Sequence, residues 1–198
     1  MDTGGFYGFR KNKKIDTRNA KGRKPCYIEG SISGEVCFKL AKKKGIVLPY
    51  QSAQELNQYF LTHVTDLDTF LECYRLINEL CIDETDYYDT VISIGKDAKQ
   101  QNIVYRELML DFPMKADIDG HFGKVITACY EAANAIHKKH GIFMPIIVCA
   151  DRTQPIEQCI KYVKGFEPYL SMIDGLGLDY EEAVQLVPRQ DFRLETLN

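Results

Sequence analysis

The sequence predicts an α/β fold: about four parallel strands with helices between them, a partial (β/α)8 TIM-type barrel with helical insertions after the first strand. Three observations predict it. Beyond residue 100, strand-like and helical runs alternate, the pattern of right-handed βαβ crossovers that builds a parallel sheet. One of these runs, MPIIVCA (Met144 to Ala150), is almost wholly apolar, as befits a strand buried on both faces. The chain has 198 residues, whereas a closed eightfold barrel takes roughly 250, so four strands amount to about half of one.

The elements follow in order. Residues 1 to 24 are rich in Gly, Lys and Arg and have no apolar period, which predicts an extended or disordered arm ahead of a half barrel over 25 to 198. The arm carries eight basic residues against Asp2 and Asp16, leaving 17 of the 25 basic and 26 of the 28 acidic residues to the body. A basic arm thus precedes an acidic body. It could touch phosphate or nucleic acid, or serve as a solvated tail or a strap across an acidic partner, with Phe6, Tyr7 and Phe9 as anchors.

A short strand, CYI, comes next, then a helix from Ser33 and Glu35 to Lys44, stopped by Gly45 and carrying Lys42 to Lys44 where a helix C-terminus favours cations. Ser52 and Glu55 form a capping box for a helix to about Leu61. From Asp66 to Cys81, apolar residues at spacings of three and four (Leu67, Phe70, Leu71, Tyr74, Ile77) predict an amphipathic helix, and another covers Asp86 to Gln101. IVYRELML (Ile103 to Leu110) is a strand with Tyr105 and Glu107 on one face. A helix from Gly120 to His140, the apolar strand, a helix from Pro155 to Lys164, a fourth strand from Tyr169 to Leu178 and a last helix from Asp179 to about Leu186 complete the series. Such a sheet exposes two edges and an inner face, so a second copy, a different subunit, or closure by the arm and tail is expected to cover them.

Composition narrows the class. Hydrophobic residues make up 45% and charged residues 27%, the balance of a packed globular protein. No apolar run reaches the roughly 18 to 20 residues of a membrane helix, nor does the start resemble a signal peptide, so a cytoplasmic location without membrane contact is expected. The seven cysteines are scattered and form no CxxC, which favours buried free thiols in a reducing compartment over disulfides or a zinc knuckle.

Four stretches together resemble the adenosine deaminase family. YIEGSISGEVCFKLAKKKGIVLP (Tyr27 to Pro49) is similar to its opening, where a strand bearing His-x-His is followed by an acidic residue, Gly, a small residue and a helix ending in Gly-Ile-x-Leu-Pro. VYRELML (Val104 to Leu110) resembles its second strand, VCADRTQP (Val148 to Pro155) its third, and IDGLGLDYEE (Ile173 to Glu182) its fourth, especially in the bacterial adenosine and adenine deaminase branch. The resemblance implies hydrolytic deamination of purines in a (β/α)8 barrel. A zinc-bound water of lowered pKa and a proton-moving glutamate would do the chemistry.

The departures from that pattern are specific. The resemblance sets Pro25 and Tyr27 at the two first-strand metal histidines; proline has no donor, and a phenol of pKa near 10 is a poor zinc ligand. Cys26 points to the opposite face by strand alternation. His137 and His140, three apart on a helix, could share a metal or be a solvated pair; His63 and His121 have no ligand-like neighbours. The resemblance places the remaining zinc ligands and the catalytic glutamate beyond Asn198. Glu29 matches the acidic residue near the ribose, and Gly177 and Asp179 the turn near the purine; a helix cap, a strand end and a helix start would account for the same three. Arg152 could bind a partner carboxylate or phosphate, or form a structural ion pair.

The expectation is therefore a degenerate, non-catalytic deaminase-like subunit, binding no cofactor alone and taking zinc only if a partner supplies ligands. It would be a homo-oligomer or be completed by a second subunit. Half of a split purine deaminase and a purine nucleoside or nucleotide sensor remain as alternatives.

Overall fold

The computed structural model describes residues 25–81, 83–111 and 121–179. The expected arm and last helix lie outside them, except Asp179. Four parallel strands form one sheet in the order β1-β2-β3-β4: β1 (Cys26–Tyr27), β2 (Leu108–Leu110), β3 (Ile146–Asp151) and β4 (Gly175–Asp179). Between β1 and β2 lie α1 (Gly34–Lys44), α2 (Ala53–His63), α3 (Leu67–Leu80) and α4 (Glu84–Gln100), the expected insertion. α5 (Gly123–His140) links β2 to β3, and α6 (Ile156–Lys164) leads toward β4.

All four strands are shorter than expected, two of them by five residues. Residues 103 to 107 contribute isolated bridges, Tyr105 pairing with Phe143, and residues 167 to 172 wind into a 3-10 turn. Pro168, near the start of that turn, lacks a ladder donor and suits a helical first turn.

Local signals account for the helix ends. Ser33 caps α1, and Gly45 closes it at φ 68 in the left-handed region that glycine tolerates. Ser52 accepts from the Glu55 N–H at 3.1 Å, but the Glu55 carboxylate reaches Gln51 N–H rather than the cap residue, so that capping box is half realised. The full box lies at α4, where Asp83 is the cap and Asp86 its reciprocal partner. The Asp86 side chain is fully buried and receives Lys43 at 2.8 Å and Lys44 at 2.6 Å. Two of the lysines expected to answer the α1 dipole therefore also tie α1 to α4. Asp86→Ala leaves the Asp83 cap but removes the reciprocal half of the box and the buried partner of both lysines, and is expected to cost about 1–2 kcal/mol in a urea titration.

The sheet's two faces differ. Leu108, Leu110, Ile146, Val148 and Ala150 share the helix-covered face and are buried. α4 and α5 pack closely there because Gly95 has no side chain: a Cβ would lie 2.5 Å from Ile136 Cγ1. Cys26 packs against the same core, as strand alternation predicts. Tyr27, Met109 and Ile147 share the other, inner face and are half-buried. On β4, Leu176 and Leu178 are 56% and 58% exposed, although Leu176 is in register with buried Val148. Among the described residues no helix covers them.

Candidate functional site

The site is built where the strands end. A 3-10 turn over Glu29–Ser31 follows β1 directly, Asp111 follows β2, Cys149 lies within β3, and Gly177 and Asp179 lie on β4. C-terminal strand ends are where α/β barrels collect functional groups.

Glu29 is 1% exposed and is not a helix cap. Neither carboxylate oxygen has a hydrogen-bond partner. Burial pushes its carboxyl up to about 8; backbone N–H groups and the Tyr87 hydroxyl favour the charged form without meeting the geometry of a bond to either oxygen. Asp179 is also buried, and ends a strand instead of starting a helix. Its Oδ1 accepts from the Tyr27 hydroxyl at 2.5 Å, while Oδ2 has no partner. Burial, then the bond to Asp179, raises the Tyr27 phenol well above its usual range.

That bond joins the two edge strands. In a flat sheet, three strand spacings would hold β1 and β4 about 14 Å apart, too far for a tyrosine and an aspartate standing on one face. The sheet must curl. The register also fits: Tyr27 stands level with Gly175 through β2 and β3, and the shear of an eightfold barrel, about one residue per strand, moves that level about three residues toward Asp179.

Gly177 does not leave open space for a ligand in this state. A Cβ there would lie 2.8 Å from Cys149 Sγ and 3.3 Å from Ile147 Cγ2, so the room the glycine leaves is taken by the neighbouring strand. The Cys149 thiol is pushed up by burial and then by Asp179. Arg152 turns inward: its Nε donates to the Asp179 carbonyl at 3.1 Å and its terminal nitrogen to the Leu178 carbonyl at 2.9 Å. It thereby fixes the end of β4 and with it Asp179.

Pro25 is exposed at the start of β1. The first strand does not fit a zinc ion: proline offers no donor atom, and the Tyr27 phenol is held neutral and committed to Asp179. No group of three or more His, Cys, Asp and Glu among the described residues has the arrangement to hold a metal. His137 turns its Nδ1 to the Ile142 carbonyl at 3.2 Å, and His63 meets Glu72 at 2.9 Å and stacks on Tyr59. All seven cysteines are free. Asp111, which accepts from Tyr74 at 3.0 Å, belongs to this end of the sheet and was not singled out in the sequence. Its place directly after a strand was the available signal.

Comparison with known proteins matches residues 24–194 to the family model described as adenosine deaminase. An adenine deaminase of Vibrio parahaemolyticus is 30% identical over 156 residues, covering 79% of this chain and 46% of that protein. An uncharacterized deaminase of Schizosaccharomyces pombe is likewise 30% identical, with 79% and 45% covered. The chain spans about half the length of the curated relatives it matches. Among solved structures, the adenine deaminase of Arthrobacter aurescens aligns with a TM-score of 0.66 at 23% identity, over 81% of this chain and 49% of that one. Arabidopsis ADAL complexed with GMP aligns at 0.61 and 18% identity, over 80% and 49%. These likenesses carry the fold, about half of a TIM-type deaminase barrel.

Proposed function

The chain belongs to the adenosine deaminase family, and from that premise we propose that it is a non-catalytic member that recognises a purine base or nucleoside and does not hydrolyse it. The observation that carries this reading is the Tyr27–Asp179 bond. It fills the place of a first-strand metal histidine with a neutral phenol, beside a proline at the other. Nothing at β1 can then hold a zinc ion or lower the pKa of a bound water, while both oxygens of Glu29 and one of Asp179 are buried without a completed hydrogen bond. Buried unpaired carboxyl oxygens are costly unless a water or a ligand meets them.

The reading includes a partner. Among the described residues the outer edges of β1 and β4, the inner face and Leu176 and Leu178 are left open, and in this reading further polypeptide, such as a second subunit or a second copy, completes or covers the barrel. Seven free thiols suit a reducing, cytoplasmic setting. No helix among the described residues is long and apolar enough to cross a membrane.

The test is binding without turnover. Adenine or adenosine at millimolar concentration is expected to raise the melting temperature and to be recovered unchanged by chromatography. Stoichiometric conversion to hypoxanthine or inosine would overturn the non-catalytic reading, and the absence of any thermal shift would overturn the purine reading.

A further inference from the structure

Tyr27 and Asp179 stand on the two edge strands of the described sheet, and their bond crosses the inner face beside Glu29 and Gly177. It occupies one oxygen of Asp179 and leaves the other, and both of Glu29, without a donor. Gly177 meanwhile lies so close on Cys149 that not even a methyl group fits between them. In this state polar carboxyl atoms are present, but burial shuts the approach to them. We propose that the Tyr27–Asp179 hydrogen bond is an autoinhibitory latch, which a purine base or nucleoside must displace in order to reach Asp179.

The proposal rests on the purine-recognising reading above and adds to it an order of events. Tyr27 stands on the inner face, and its hydroxyl occupies an oxygen of a carboxyl that a ligand N–H or O–H would otherwise engage. Arg152 holds the backbone of Leu178 and Asp179 from the β3 side, so the fourth strand stays in place and the phenol is the part free to swing. A hydrogen bond to a carboxylate is worth roughly ten- to a hundredfold in an equilibrium. That factor is subtracted from ligand affinity while the latch holds.

Isothermal titration of the full chain with adenine, adenosine and inosine, in wild type and Tyr27→Phe, tests it. The phenylalanine keeps the ring but cannot bond Asp179. It is expected to bind the preferred one of the three at least fivefold more tightly than wild type, while melting lower without ligand because Asp179 loses its donor. A gain below fivefold or a loss of affinity, with binding to wild type intact, overturns the latch and leaves the purine reading standing. No binding to either protein overturns both. If Tyr27→Phe does not fold, a crystal structure of wild type with adenosine decides: the phenol parted from Asp179 supports the latch, and an intact bond beside bound ligand overturns it.

Discussion

Glu29→Gln is expected to stabilise the protein in mildly alkaline solution and to flatten its dependence on pH. The folded-state carboxyl titrates near 8 because burial disfavours its charge, against an ordinary value of 4.5. Between those values the folded protein holds a proton that the unfolded chain has released. Stability therefore falls as pH rises from about 4.5 to about 8, by up to about 1.4 kcal/mol per unit, and levels off outside that window. Cys81, Tyr87, Cys129 and Tyr162, whose charges bear on the same region, are all pushed upward by burial and do not titrate there. Glutamine has nearly the same shape and no proton to lose. Urea titrations from pH 5 to 9 should show the wild type weakening steadily to pH 8, with the variant overtaking it by about 2 kcal/mol or more. Parallel curves would contradict the burial of an unpartnered carboxyl.

Phe122→Ala is expected to cost about 3–5 kcal/mol and to loosen the approach to β4. Phe122 is fully buried at the start of α5. Its ring stacks on Phe166 at a centroid distance of 4.8 Å and meets Tyr169 edge-on at 5.5 Å. Phe166 and Tyr169 belong to the stretch that turns the chain from α6 into β4. Removing the Phe122 ring leaves that turn without its floor, and the cavity cannot be refilled by residues held in helices on either side. The loss should appear as a lower denaturant midpoint, together with faster hydrogen exchange at Gly175 to Asp179 than at Ile146 to Val148. Equal exchange in the two strands would show that the aromatic cluster does not position β4.

Much of this architecture was readable from pattern alone. Alternation of apolar runs revealed the parallel strands, and Gly45 marked the end of α1 where it stands. Other features depend on neighbours distant in sequence. The bond from Tyr27 to Asp179 joins residues 152 apart, and no local period encodes it. The inward turn of Arg152 onto carbonyls follows from where β4 ends. That Gly177 packs against Cys149 of the adjacent strand is likewise a contact no local pattern encodes. Strand lengths were overestimated because apolar content continues into the 3-10 turn before β4, where Pro168 favours helix over ladder.

The most direct test of the central claim is the metal content of the natively purified protein, measured by inductively coupled plasma mass spectrometry after dialysis against metal-free buffer and again after incubation with one equivalent of zinc. A first strand that follows a proline and ends in a committed phenol predicts no retained zinc attributable to this chain, and the same result for Tyr27→Phe. One zinc retained per chain in wild type and lost on changing Tyr27 would contradict the account, because the phenol would then be a ligand rather than a replacement for one.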